Sequence, residues 1–213
     1  MMNLQDNPIF AAMAVVFTVL FILEFRSFLK IWPYLANCIW RWKSNLELED
    51  SLQLSRSRDQ VALTLAVPTC MLAYSYSLYA PDIIQGLPPL LRIAAVAGAI
   101  LFQIPLRAFL NWQIVMHGTR SGTFQAANGA FKNYSILLFF LLFFVGAVSM
   151  ALTGDMERTR SILMWVTGVS YMVYVFRRGQ IFSSACNPFV TILYLCGLEL
   201  LPTAILVLSG MLL

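Results

Sequence analysis

The stretch "YSILLFFLLFFVGAVSMALT", residues 134–153, contains no charged side chain along its whole length. A helix of about 20 residues rises about 30 Å, which matches the thickness of the hydrocarbon core of a bilayer. The rest of the chain is similarly apolar, with 60% hydrophobic and only 11% charged residues. Soluble domains carry about 25% charged residues. The composition therefore predicts an integral membrane protein.

Five further apolar runs are long enough to form membrane-spanning helices. Together with the first stretch they give six predicted spans, at residues 9–25, 61–80, 90–111, 134–153, 160–177 and 189–212. No internal repeat or composition boundary divides the chain, so residues 1–213 are expected to form a single integral membrane domain. The predicted fold is all-α, a polytopic membrane helical bundle of about six transmembrane helices.

The positive charges predict the orientation of these spans, because Lys and Arg near span ends favour the cytoplasmic side. Eleven of the 14 basic residues fall in the connections at 24–60 and 107–133 or at 177–178. These connections share one face of the membrane, so both termini are expected on the opposite face. The net charge of +4 then reflects topology. The basic residues are too scattered for a nucleic-acid groove, and no nucleic-acid partner is expected.

The first connection contains "SFLKIWPYLANCIWRW", residues 27–42, which combines basic residues with tryptophans. The tryptophans are Trp32, Trp40 and Trp42. This combination predicts an interfacial amphipathic helix over residues 30–43, lying against the cytoplasmic headgroups. A continuation of the first span, or a plain packing helix, is the alternative. The mixed charges of residues 44–59 predict a solvated helix face, and a partner-docking surface is the alternative.

The sequence contains few of the residues and motifs from which catalytic or metal-binding sites are usually built. The chain has one histidine, His117, and four cysteines with no C-x-x-C pair. No phosphate-binding glycine loop, nucleophile elbow or zinc-protease motif is present. We therefore expect no catalytic residue, no metal and no cofactor, and an enzyme is the less favoured class.

Glu199 is the unusual residue of the last span, because it lies about 15 Å along the helix, near the bilayer midplane. A charged side chain there costs about 2.5–3.5 kcal/mol, so it must face protein or water. The polar residues expected to meet at this depth are Glu199, Tyr171, Tyr174, Ser170, Arg107 and Gln103. Either Glu199 fixes helix packing through a hydrogen bond or an ion pair, or it serves as a proton or cation relay or as a substrate contact. The structural interpretation is favoured, since few other polar groups reach the midplane.

The stretches "FRRGQIF" and "NPFVTILYLCGLELLP", with "FKNYS" upstream, carry a resemblance. The chain resembles an uncharacterised family of small polytopic inner-membrane proteins of Bacteroidota, a domain of unknown function. The resemblance covers about the last third of the chain and implies a bacterial inner membrane with both termini periplasmic. It supplies no catalytic residue. Its signature hairpin comprises Arg177, Arg178, Gln180, Asn187, Pro188 and Pro202. Arg177 and Arg178 are expected to be cytoplasmic anchors.

Two classes of function follow from these features. The first is a noncatalytic membrane subunit or accessory protein of an inner-membrane assembly, such as one serving export, insertion or envelope construction. Its partners would be the lipid bilayer and other inner-membrane proteins or further copies of itself. The second is a small transporter or channel with Glu199 at its centre. The absence of a soluble domain and the wide apolar surface favour the first class.

Overall fold

The computed structural model describes residues 8–41, 43–79, 81, 86–115, 121–184 and 187–212. Helices account for nearly all of these residues, and no strand occurs within them. The helices are α1 (Pro8–Trp40), α2 (Lys43–Asp50), α3 (Leu52–Ser75), α4 (Pro89–Val115), α5 (Ser121–Thr153), α6 (Met156–Ser183), α7 (Pro188–Leu195) and α8 (Leu201–Leu212), and a π-helical turn, Cys196–Leu200, joins α7 to α8. The predicted all-α class is confirmed.

Each of the six predicted apolar runs lies largely on helix. Two stretches of the described residues are long and apolar enough to cross a membrane, Leu90–Arg107 and Ala127–Thr153. They correspond to the predicted third and fourth spans. The number of spans beyond these two stays a prediction.

Residues 30–40 are helical as predicted, but they continue α1 from the first apolar run to Trp40 without a break and do not form a helix of their own. Ile31 and Leu35 are completely buried, so the apolar face of this stretch packs on protein. Trp32 is 43% exposed, and its ring lies against Phe28 at a centroid distance of 5.3 Å. The side chain of Trp40, and Trp42 as a whole, lie outside the described residues. The alternative, a continuation of the first span, is the observed structure for residues 30–40.

The apolar core is built by α1, α3 and α5. Its buried residues are Phe28, Ile31, Leu35, Val61, Leu65, Ile136 and Phe139. The first three lie three or four positions apart on α1, which places them on one face of that helix. Burying each of these large apolar side chains stabilises the fold by about 1.5–3 kcal/mol, relative to leaving it exposed to water. The three helices therefore form the framework against which α4 and α6 pack.

The turn between α5 and α6 is fixed by two residues. Gly154 has a φ of +62°, in the left-handed region that glycine adopts without a steric penalty. Asp155 then caps α6, because its side chain accepts a hydrogen bond from the Glu157 backbone N–H at 3.0 Å. This short turn makes α5 and α6 antiparallel neighbours.

A polar cluster joins α2, α3 and α5. We call it the Arg58 cluster, and it consists of Glu49, Arg58, Asp59 and Lys132. Arg58 is 1% exposed and is ion-paired with Glu49 and with Asp59, the latter at 2.8 Å. Lys132 of α5 pairs with Asp59 at 2.5 Å. Burial alone would raise the pKa of Asp59, but the hydrogen bonds from Lys132 and Arg58 outweigh it and lower that pKa below its ordinary value. The predicted solvated face is therefore wrong at Arg58, which is buried because its charge is paired.

Gly129 of α5 is the point where the Arg58 cluster meets the helix backbone. A Cβ atom at this position would lie 2.5 Å from Arg58 Nη1 and 2.5 Å from Glu49 Oε2. We expect Gly129→Ala to destabilise the protein by about 1–3 kcal/mol, because overpacking forces the ion pair apart. Thermal unfolding in detergent measures this loss.

The control for that substitution is Gly168→Ala on α6, where an added Cβ meets no atom within 4 Å. Alanine is a better helix former than glycine by about 1 kcal/mol, so this control should be neutral or stabilising. Equal melting temperatures for the two variants would contradict the tight approach at Gly129.

Candidate functional site

Glu199 lies on the π-helical turn Cys196–Leu200 and is completely buried. The turn is closed by the Leu201 N–H, which donates to the Cys196 carbonyl five residues earlier. Pro202 follows at once and has no backbone N–H, so the ordinary α-helical hydrogen-bond pattern is interrupted here. The interruption sets the carboxylate of Glu199 towards α4 and α6.

Two arginines from two other helices hold the carboxylate. Arg107 of α4 places Nη1 2.9 Å from Glu199 Oε2. Arg178 of α6 places Nη1 against Glu199 Oε1. The exposed fractions of the two arginines are 7% and 2%. Glu199 therefore joins α4, α6 and the π-helical turn through buried ion pairs.

Tyr174 completes what we call the Glu199 cluster, made of Arg107, Tyr174, Arg178 and Glu199. Its hydroxyl oxygen accepts from Arg178 Nη1 at 2.6 Å and from Arg107 Nη1 at 3.4 Å. Tyr174 and Arg178 can share this contact because they are four residues apart on one helix. The Arg107 guanidinium also lies over the ring of Phe131, 4.1 Å from its centroid, which is a cation–π contact. Both guanidinium groups are thus held in place before they meet the carboxylate.

The backbone around Glu199 is held separately from its side chain. The Tyr171 hydroxyl donates to the Glu199 carbonyl at 3.0 Å, and the Thr203 hydroxyl donates to the same oxygen at 2.6 Å. Gln103 of α4 donates from Nε2 to the Pro202 carbonyl at 3.1 Å. These bonds tie the carbonyl groups of Glu199 and Pro202 to side chains of α4, α6 and α8.

The structure brings together most of the residues expected to surround Glu199. Arg107, Tyr171 and Tyr174 contact its side chain, its carbonyl or its partners, and Gln103 binds the next turn of the helix. Ser170 is half-buried on α6 and takes no part in the ion pairs.

Arg178 has a different place from the one expected of it. The sequence predicts a cytoplasmic anchor for this residue, whereas the structure buries it against Glu199 and Tyr174. Arg177, next to it, is half-buried and donates to Gln180 Oε1 at 2.9 Å. The four-residue spacing between Arg178 and Tyr174 places both side chains on one face of α6, and it is the sequence signal for their contact.

The remaining residues of the signature hairpin shape the start of α7. Asn187 is the exposed N-cap residue, and its side chain makes no capping hydrogen bond. Pro188 occupies the first helical position, where its missing N–H costs nothing. These two residues therefore set where α7 begins.

The cysteine of the first connection is a packing residue. Cys38 is buried, and burial raises the pKa of its thiol to about 12. Asn133 Nδ2 lies 3.8 Å from its sulfur and donates to Asn45 Oδ1 at 2.8 Å. A thiol this hard to ionise is a poor nucleophile and a poor metal ligand.

Comparisons with protein-family models, with curated proteins and with solved structures found no match to this chain. The resemblance to the Bacteroidota inner-membrane family stays an expectation from the quoted motifs. The functional argument therefore rests on the Glu199 cluster and on the helix surfaces.

Proposed function

We propose that this chain is a noncatalytic integral membrane subunit or accessory protein of an assembly in the bacterial inner membrane, with six spans and both termini periplasmic. In this proposal the Glu199 cluster is a structural lock that fixes the last helix against α4 and α6. Lipid and neighbouring membrane proteins cover the outer faces of the helices.

The outer surfaces of the helices support a membrane location. Large apolar side chains point outwards on α1, α4, α5, α6 and the α7–α8 segment. Examples with high exposure are Leu23, Phe102, Phe144, Trp165, Met172 and Phe189. Soluble monomers rarely expose contiguous apolar patches of this extent. A hydrocarbon solvent or a partner membrane protein accounts for such faces on these helices.

The closure of the Glu199 cluster is the single observation that carries the structural role. Glu199 is completely buried, and each carboxylate oxygen faces an arginine. Arginine does not lose its proton in proteins, so both partners are permanent cations. A relay would have to protonate Glu199 in turn and leave two buried cations without a counter-charge, at a cost of several kcal/mol. The arrangement suits a fixed lock better than a proton path.

Copurification tests the subunit proposal. We expect the tagged protein, extracted in a mild detergent, to elute from size exclusion with other inner-membrane proteins in fixed stoichiometry. An unrelated inner-membrane protein carrying the same tag is the control, because it reports proteins that adhere to any detergent micelle. Elution of the chain alone, or only with copies of itself, would contradict the proposal.

A small transporter or channel is the second candidate. One observation favours it, namely the π-helical turn at Glu199, since such turns occur frequently at functional sites. Reconstitution of the lone chain into liposomes tests this role. Ion or proton flux that Glu199→Gln abolishes, while the protein stays folded, would support transport over the lock.

A further inference from the structure

The Glu199 cluster has unequal numbers of positive and negative groups. Arg107 and Arg178 bring two positive charges, whereas Glu199 brings one negative charge. Tyr174, the other polar member, is an uncharged phenol that accepts from both arginines. The cluster therefore buries one surplus positive charge.

Within the part of the chain that the structure describes, no carboxylate other than that of Glu199 pairs with Arg107 or Arg178. Between residues 86 and 212 the acidic residues are Asp155, Glu157 and Glu199. Asp155 and Glu157 lie at the opposite end of α6 from Arg178, about 30 Å away at 1.5 Å per residue. On α2 and α3, Glu49 and Asp59 already pair with Arg58 and Lys132. The groups that pack around the cluster leave the extra charge uncompensated.

Each arginine also has one N–H donor without a hydrogen-bond partner among the described residues. These donors, Nε of Arg107 and Nε of Arg178, are both buried. The two carboxylate oxygens of Glu199 also accept no hydrogen bond from the described residues, and contact the arginines as ion pairs only. A buried donor without a partner costs about 1–3 kcal/mol, and more when it belongs to a charged group. The surplus charge and the two donors belong to the same pair of side chains, and both call for an acceptor that carries negative charge.

We propose that the Glu199 cluster binds one small inorganic anion of chloride size beside the Arg107 and Arg178 guanidinium groups. The burial of these groups selects the size of the ligand. With exposed fractions of 7% and 2%, the two arginines are beyond the reach of a lipid phosphate or a partner's carboxylate while the bundle stays closed. This inference rests on the charges of the cluster and holds for a subunit as well as for a transporter.

Thermal unfolding in neutral detergent, with sodium gluconate or sodium chloride at equal ionic strength, tests the anion site. Chloride should raise the melting temperature saturably, by about 3–6 °C when its concentration is tenfold above the midpoint. Arg107→Gln leaves a balanced Arg178–Glu199 pair, so it should fold and lose the chloride effect. Glu199→Gln raises the surplus to two charges and should enlarge the effect. Arg56→Gln removes an exposed arginine outside the cluster and should respond like the native chain.

The test compares the rise in melting temperature that chloride produces in the native protein and in the three variants. Arg107→Gln alone is enough to test the site if Glu199→Gln does not fold. Equal melting temperatures in gluconate and chloride for the native protein would overturn the proposal. So would a chloride effect that Arg107→Gln retains, because the anion would then bind elsewhere. A rise that appears only in nanodiscs with phosphatidylglycerol, and not in phosphatidylcholine nanodiscs with chloride, would assign the charge balance to a lipid headgroup and would also overturn it.

Discussion

Glu199→Gln is expected to destabilise the folded protein by about 3–5 kcal/mol in chloride-free buffer, because it removes the counter-charge that two buried arginines share. From the sequence alone, a glutamine that kept the hydrogen bonds of a neutral glutamate would be nearly harmless. The structure changes this expectation, since Arg107 and Arg178 both pair with the carboxylate. The measurement is the melting temperature of the detergent-purified protein, together with the fraction that stays monodisperse.

The matched control for this substitution removes all three charges at once. Arg107→Met, Arg178→Met and Glu199→Leu together replace the buried ions by apolar groups of similar length, and such replacements are often neutral or stabilising. We expect the triple variant to recover most of the stability that Glu199→Gln loses. A native-like melting temperature for Glu199→Gln alone would show that the carboxylate does not hold the arginines. A triple variant as unstable as the single one would assign the loss to packing.

The sequence predicts the helical fold well because composition and the length of apolar runs decide it. Residues 134–153 lie on α5 as expected, but the helix begins 13 residues earlier, at Ser121. The added turns include Lys132, a member of the Arg58 cluster, and Gly129, which lies against that cluster. Apolar runs mark the part of a helix that suits lipid, whereas the helix itself continues for as long as its side chains find partners.

The first connection shows how amphipathic spacing can be ambiguous. Residues 28, 31 and 35 share an apolar face, which suits a headgroup surface and a protein core equally well. The structure packs this face against α3 and α5 and extends α1 through Pro33. Sequence spacing indicates which side chains lie together, but it does not say what covers them.

The partner arginines of Glu199 differ in how well the sequence reveals them. Arg107 stands inside an apolar span, where an unpaired cation is costly, so a pair with Glu199 is expected. Arg178 stands at the end of a span, where basic residues usually anchor a helix at the cytoplasmic boundary. Its long side chain also lets it reach inwards, and the sequence does not choose between the two directions. The π-helical turn is equally hidden, because Pro202 predicts only a weakened hydrogen-bond pattern.

The second large effect concerns the number of spans. In a background without the four native cysteines, single cysteines are placed at Asn3, Glu47, Gly122, Arg158 and Ser183. If six helices cross the membrane, a membrane-impermeant thiol reagent added to the periplasm labels positions 3 and 158 and leaves positions 47, 122 and 183 unlabelled until the membrane is opened. Each site should respond in an all-or-none manner, because a charged reagent does not cross the hydrocarbon core.

Positions 47 and 183 separate six spans from two. Helices α4 and α5 carry the two stretches that are long and apolar enough to cross a membrane. If only these two helices cross it, residues 47 and 183 lie on the same side as residue 3. They would then be labelled together with it, and position 122 alone would be protected. The exposed side chain of Arg158 makes its cysteine a sensitive positive control for the periplasmic face. Equal labelling of positions 3 and 122 contradicts both arrangements, because each of them places these two positions on opposite sides of the membrane. Protection of 47, 122 and 183 together, with labelling of 3 and 158, is the pattern that six alternating spans produce and that two spans cannot produce.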